Sequence, residues 1–259
     1  MDRAVKRLTI PFALFLLLLY GGLIASILYF FHPNEFLSYL HSARILFAVK
    51  TSLLAATIAT ILALLVAIPA GFALSRYSFM SKNIIDTLLE FPMVVSPAAL
   101  GAIVLIFFNN PLGEWIQNNL ITFVFSFSGI VLAQFLTIAG VATRFAKAAF
   151  DEVDTEFENT ANTLGANPLY TFFTITLPLA KRGLIAGMIL SWAKALGEFG
   201  ATLTIAGTMP FRTETLPISI YLHLEMADIK GTVTIILILL SFGLGALFLT
   251  RMLLQRLQR

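Results

Sequence analysis

The sequence predicts an all-α membrane protein of six transmembrane helices, and three observations carry that prediction. Of 259 residues, 58% are hydrophobic and 12% charged, and mean hydropathy is +0.89; soluble domains carry about twice that share of charge. Uncharged runs approaching or exceeding the roughly 20 residues of a spanning helix recur along the chain. The lysines and arginines gather in alternate intervening segments instead of spreading evenly.

The first apolar run covers about 8–31. Its basic start (Arg3, Lys6, Arg7) invites comparison with a cleaved signal peptide. The stretch is longer than a signal core and no small-x-small site closes it, so a retained helix is expected. Further spans are expected at about 51–75, 91–108, 121–146, 183–206 and 231–254. The third carries Pro92 and Pro97, which free backbone carbonyls and bend a helix. With Ser96 between them, Ser96 and Pro97 are candidates for a gate or pore lining; an ordinary kink is the alternative. The fifth holds Lys194 and Glu198, charges near the middle of a predicted span. Charge at bilayer depth is costly and faces protein or a water-filled cavity. Four residues apart on one helix, the two can pair. Lys194 and Glu198 therefore belong either to a permeation path or to a structural ion pair. Gly197, Gly200 and Ala201 around them permit close packing or local unwinding.

Orientation follows from the basic residues. With the amino terminus inside, inner segments hold Arg3, Lys6, Arg7, Arg76, Lys82, Arg144, Lys147, Lys181, Arg182, Arg251, Arg256 and Arg259. Outer segments hold Arg44, Arg212 and Lys230, twelve against three. The positive-inside rule places both termini and the segment 151–182 in the cytoplasm, and 207–230 outside. The net charge of +3 is thus explained by topology and does not indicate nucleic acid. Cysteine is absent and the three histidines show no ligand spacing, which excludes disulfides and argues against a metal or catalytic site. No G-x-x-x-x-G-K-[ST] occurs, so the chain has no phosphate-cradling loop of its own.

The polar segment 151–182 predicts helix, sharp turn, helix. Thr155 with Glu158 matches a capping box, and Asp151, Glu152, Asp154 and Glu156 suit a helix start. Phe157, Ala161 and Leu164 fall on one helical stripe, and Gly165 follows where a left-handed cap favours glycine. Asn167 and Pro168 restart a helix as N-cap and first residue, with Leu169, Phe172 and Phe173 as its apolar face, ending before Pro178. Thirty residues with two capped helices suit a folded docking element better than a bare connector.

That segment resembles the signature of ABC-importer permeases: Glu-Ala-Ala, three residues, Gly, nine residues, Ile, one residue, Leu-Pro. Gly165, Ile175, Leu177 and Pro178 match at that spacing. Asn159, Thr160 and Ala161 occupy the Glu-Ala-Ala positions, and Glu158 stands one place early, a variant similar to the oxyanion-importer branch. Ser191–Ile205, SWAKALGEFGATLTI, resembles the fifth span of molybdate, tungstate and sulfate permeases, and Gly207–Glu225 is closer to the molybdate and tungstate members.

The resemblance implies a multi-pass cell-membrane permease, not itself an enzyme, that imports an oxyanion. Molybdate or tungstate comes first and sulfate or thiosulfate second. It implies that the loop, through Glu158, Ala161, Leu164, Gly165, Ala166 and Pro168, couples to a cytoplasmic ATPase; Ile175, Leu177 and Pro178 complete the motif. The expected partners are a second permease copy, two ATPase subunits that bind the ATP and Mg, an extracytoplasmic oxyanion-binding protein touching Arg212 and Glu214, and membrane lipid. An ion-coupled secondary transporter is the alternative from another class, and would show interrupted helices in both halves.

Overall fold

The computed structural model describes residues 2–256, with side chains from Thr9 to Met252 apart from Asn34. Arg3, Lys6, Arg7 and Arg256, used above for orientation, lie outside the described side chains, and Arg259 lies outside the described residues. Among the described residues all regular structure is helical. Five stretches of helix are long and apolar enough to cross a membrane, or six if one bent pair counts as a single span.

Helix α1 (Asp2–Leu28) stands apart, with none of its apolar window buried, and α2 (Pro33–Leu40) follows it. Helix α3 (Ala43–Arg76) starts at Ala43 instead of 51. Neither charge that suggested the later start ends the helix: Arg44 finds a carboxylate and Lys50 is exposed. On α3, Ala55, Ala56, Ala59, Ala63 and Ala67 are all 0% exposed and pack against α7 (Phe127–Asp151), the most buried long helix. Small side chains let two backbones approach closely in a solvent that offers no hydrophobic drive between helices. At Gly71 a Cβ would lie 2.7 Å from Ala146 Cβ and 2.8 Å from the Lys147 amide nitrogen. Helix α10 (Leu177–Leu196) runs antiparallel along α7, and a Cβ on Gly183 or Gly187 would fall 2.6 Å from the Cβ of Ala149 or Phe145. The body is therefore α7 clasped by α3 and α10.

The expected third span, 91–108, is two helices at 111°, α4 (Lys82–Val94) and α5 (Pro97–Phe108). Pro92 sits within α4 without ending it. The break falls at Ser96 because a residue before proline is pushed out of the helical region; Ser96 has ψ 146°. After α6 (Pro111–Asn119), the fourth long helix begins at Phe127, not at 121, on the Ser126 cap. The expected fifth span is also broken: α10 ends at Leu196, and a short α11 (Gly200–Ala206) resumes after Gly197–Phe199. Segment 207–230, expected outside the membrane, is partly helical. It contains α12 (Leu216–Glu225), whose Leu216 and Ile218 are fully buried and whose Leu216 amide donates to Ser52 Oγ at 2.7 Å. Helix α13 (Ile229–Arg256) completes the described chain.

Candidate functional site

Two regions gather the residues singled out in the sequence. The first is the polar segment after α7. Helix α8 (Thr155–Thr163) is capped by Asp154, whose Oδ1 accepts from the Glu156 amide at 3.0 Å. The cap therefore sits one residue before the expected Thr155, and Glu158 does not close a capping box. At the far end Gly165 has φ 85°, the Ala166 amide donates to Ala161 O and the Gly165 amide to Asn162 O. That pair of bonds is the Schellman closure, which needs a residue tolerant of positive φ. Asn167 then caps α9 (Pro168–Thr171) by accepting from the Leu169 amide at 3.0 Å.

The second helix does not stop before Pro178. It passes through a π-helical turn, Phe172–Thr176, directly into α10, with Pro178 in the first turn of α10. The Leu177 amide donates to Phe172 O, so the helix does not restart there, and Pro178 is accommodated beside a turn whose hydrogen-bond ladder is already irregular. The whole stretch Pro168–Leu196 is thus one long helical run.

The stripe expected on α8 divides. Ala161 is buried, whereas Phe157 is exposed and Leu164 is 83% exposed beside exposed Gly165. Leu169, Tyr170 and Phe173 extend this exposed apolar corner, with Ala166 half-buried and Pro168 exposed next to them. Leu177 and Phe172 turn inward onto Phe150 and Val153, while Ile175 is half-buried in the π turn.

What the sequence did not disclose is where Glu158 points. Arg76, the last residue of α3, donates from Nε to both Glu158 oxygens at 2.9 and 3.2 Å and from Nη2 to Val153 O at 2.8 Å. Thr176 Oγ1 donates to Glu158 Oε1 at 2.9 Å. Ser75 Oγ accepts from Arg76 Nη1 and donates to Asp151 at 2.5 Å. An arginine closing a spanning helix opposite a polar loop was the available signal. A groove of about 610 Å3 runs beside this network, lined in part by Arg76, Glu158, Asn162, Thr171 and Phe172.

The second region is the break between α10 and α11. Glu198 is buried and lies beyond the end of α10, so it does not share a helix face with Lys194. Its Oε1 accepts from the Ala201 amide at 2.7 Å, satisfying the start of α11. Lys194 is exposed, and the two form no ion pair. The expected pair is corrected accordingly: the interruption at Gly197 ends the helical register that pairing required. Ser96 Oγ accepts from the Ala99 amide at 3.3 Å, and a Cβ on Gly200 would lie 3.0 Å from both Pro97 Cβ and the Ala98 amide nitrogen. Two breaks in the apolar helices, at Ser96–Pro97 and at Glu198–Gly200, therefore lie against each other.

At the opposite end of the bundle, Arg212 is exposed but Glu214 is 0% exposed. Arg44 Nε donates to both Glu214 oxygens at 2.9 and 2.8 Å, which makes Glu214 an internal brace between α3 and α12 and removes it from any contact surface.

Three relatives share this sequence pattern. A probable molybdenum ABC transporter permease protein of Haloferax volcanii is 32% identical over 94% of this chain and 88% of its own length. The molybdate/tungstate transport system permease protein WtpB of Methanocaldococcus jannaschii is 32% identical over 94% of this chain and 96% of its own. The molybdenum transport system permease protein ModB of Escherichia coli K12 is 37% identical over 67% of this chain and 77% of its own. The fold is shared with a bacterial ABC transporter involved in the import of the acidic polysaccharide alginate, at TM-score 0.79 and 16% identity over 100% of this chain and 97% of that one. The MetNI methionine ABC transporter in inward-facing form gives TM-score 0.64 at 15% identity over 82% and 95%. The family model for binding-protein-dependent transport system inner membrane components matches residues 63–259, and with the multi-pass helical fold and these relatives the chain belongs to that family.

Proposed function

We propose that the chain is the membrane-spanning subunit of an ATP-driven importer for molybdate or tungstate. It works as a homodimer with two cytoplasmic ATPase subunits and an extracytoplasmic binding protein. The observation that carries the substrate is that relatives 32–37% identical are named as molybdenum or molybdate/tungstate permeases. Six spans then cross the bilayer, with α4 and α5 counting as one. Loop 151–182 and both termini face the cytoplasm, a reading supported by the twelve-to-three distribution of basic residues. ATP and Mg belong to the partner, which docks on the exposed corner at Leu164 and Gly165. Helix α1, none of whose apolar window is buried by its own chain, supports a second copy and surrounding lipid.

In this mechanism, closure of the two ATPases brings two corners together and rocks the paired bundles toward the outside, where the binding protein releases its anion. Arg212 is available for contact with that protein. The path runs past the facing breaks, with Ser96, Pro97, Glu198 and Lys194 alongside. Weak, distributed contact suits a path that must also release its cargo. An ion-coupled carrier is disfavoured by the family assignment.

The test is Gly165→Asp. A Cβ at Gly165 meets nothing within 4 Å, but its φ of 85° strains any side chain there, so Leu164→Asp, at an 83% exposed residue of ordinary φ, is the paired variant that charges the docking corner without disturbing the turn. The membrane-inserted protein should persist while co-purifying ATPase and ATP-dependent tungstate uptake are lost. If both survived, docking at this corner would be wrong. Competition of labelled tungstate uptake by molybdate and by sulfate orders the cargoes, and a preference for sulfate would overturn the substrate assignment.

A further inference from the structure

We infer that Arg76, Glu158 and Thr176 form a clamp that makes the docking corner and α3 one lever, so that motion imposed at Leu164 reaches α3 directly. The inference rests on the importer reading above, and assigns positioning roles to Arg76 and Thr176 within it.

The covalent routes out of the loop are soft. On one side α8 joins α7 through the short link Glu152–Asp154. On the other, α9 reaches α10 only through the π turn Phe172–Thr176. A π turn departs from the regular hydrogen-bond ladder and is a common place for a helix to bend. A push at the corner would be absorbed there if nothing else held α8.

The clamp bypasses both links. Glu158 on α8 accepts from Arg76 Nε on both of its oxygens, at 2.9 and 3.2 Å, and Thr176 at the end of the π turn donates to the same carboxylate at 2.9 Å. The remaining guanidinium donors hold Val153 O at 2.8 Å and Ser75 Oγ at 3.0 Å, tying in the α7–α8 link. The Arg76 and Glu158 side chains are only 9% and 15% exposed, so salt screens the pair little. One planar guanidinium thus holds a carboxylate, a carbonyl and a hydroxyl at fixed angles through Nε, Nη2 and Nη1, which the single ammonium of a lysine cannot do. From Arg76 the connection runs straight into α3, which lies along α7 through its alanine face. Glu158 is therefore turned toward α3 and the π turn, with its carboxylate occupied by Arg76 and Thr176.

The experiment uses the reconstituted complex of permease, ATPase and binding protein, and reads ATPase retained per permease and tungstate imported per ATP hydrolysed. The parent complex tests the importer reading itself: without ATP-driven uptake there, that reading fails before the clamp is tested. Relative to the parent, Arg76→Gln should retain the ATPase and its hydrolysis while tungstate per ATP falls about tenfold, the scale of losing one charge-assisted hydrogen bond. Arg76→Lys should recover part of that ratio. Thr176→Val, nearly isosteric and removing a single bond, should lower it about threefold, and this variant tests the clamp even if Arg76→Gln does not fold. The clamp is overturned if hydrolysis and uptake fall in parallel, if ATPase is lost from Arg76→Gln, or if Thr176→Val keeps the parental ratio.

Discussion

The Arg44–Glu214 brace makes an asymmetric prediction about stability. Its two hydrogen bonds, at 2.9 and 2.8 Å, join side chains that are 29% and 0% exposed. Arg44→Met leaves a fully buried carboxylate without its counter-charge, a change that costs about 3–5 kcal/mol. Glu214→Gln keeps an acceptor for Arg44, and the guanidinium, nearly a third exposed, can draw on water, so the cost is about 1–2 kcal/mol. For a chain of this size each kcal/mol shifts the melting midpoint by about 2–4 °C. In detergent, Arg44→Met should therefore melt about 10 °C lower and Glu214→Gln only about 4 °C lower. The double change to Met at both positions should recover most of the loss, because no buried charge remains. Equal losses from the two single variants would mean that Glu214 is not sealed from water. If Glu214→Gln weakened binding-protein association while its midpoint stayed put, the internal brace would be the wrong reading.

The other two predictions concern polar groups within the bundle. Gln134 on α7 is 0% exposed with neither side-chain nitrogen nor oxygen hydrogen-bonded. Gln134→Met, similar in volume, should raise stability by about 1–2 kcal/mol by relieving that desolvation, and a lowered melting midpoint would count against it. Lys194 and Glu198 form no direct ion pair, but the ammonium still acts on the carboxylate through space, so Lys194→Met and Glu198→Gln should couple only weakly, by less than about 1 kcal/mol. A double variant clearly better than Lys194→Met alone would restore the ion pair that the geometry denies.

The turn at Gly165 and the cap at Asn167 were legible because both are local chemistry: a positive φ beside a helix end, and an acceptor two residues before a free amide. The start of α8 was legible only to within one residue, since Asp154 and Thr155 are both competent caps. Glu158 was misread for a different reason. Its partner Arg76 lies 82 positions away, and a reading of neighbouring residues assigned the carboxylate to the nearest unpaired amide instead. Pro92 and Pro97 look alike in the sequence, yet the chain bends only at Pro97, where Ser96 supplies an acceptor for the new helix start. Pro178 resembled a stop, but it follows directly on the π turn Phe172–Thr176, where the regular ladder is already interrupted and a missing amide is accommodated.

The same principle accounts for Glu198. A break in a spanning helix strands amides that lipid cannot satisfy, so the residue beside the break must carry an acceptor. Ser96 serves the α5 start and Glu198 the α11 start, on facing elements. Charge within a span signals a cost that must be met, and at Glu198 the backbone meets part of it. That leaves Lys194, exposed and without an ion-pair partner within 4 Å, as a charge that acts on Glu198 only through space. Lys194→Met, at an exposed residue, therefore disturbs the fold less than a change at the buried Glu198, which makes it the cleaner probe of whether charge beside the facing breaks matters to uptake.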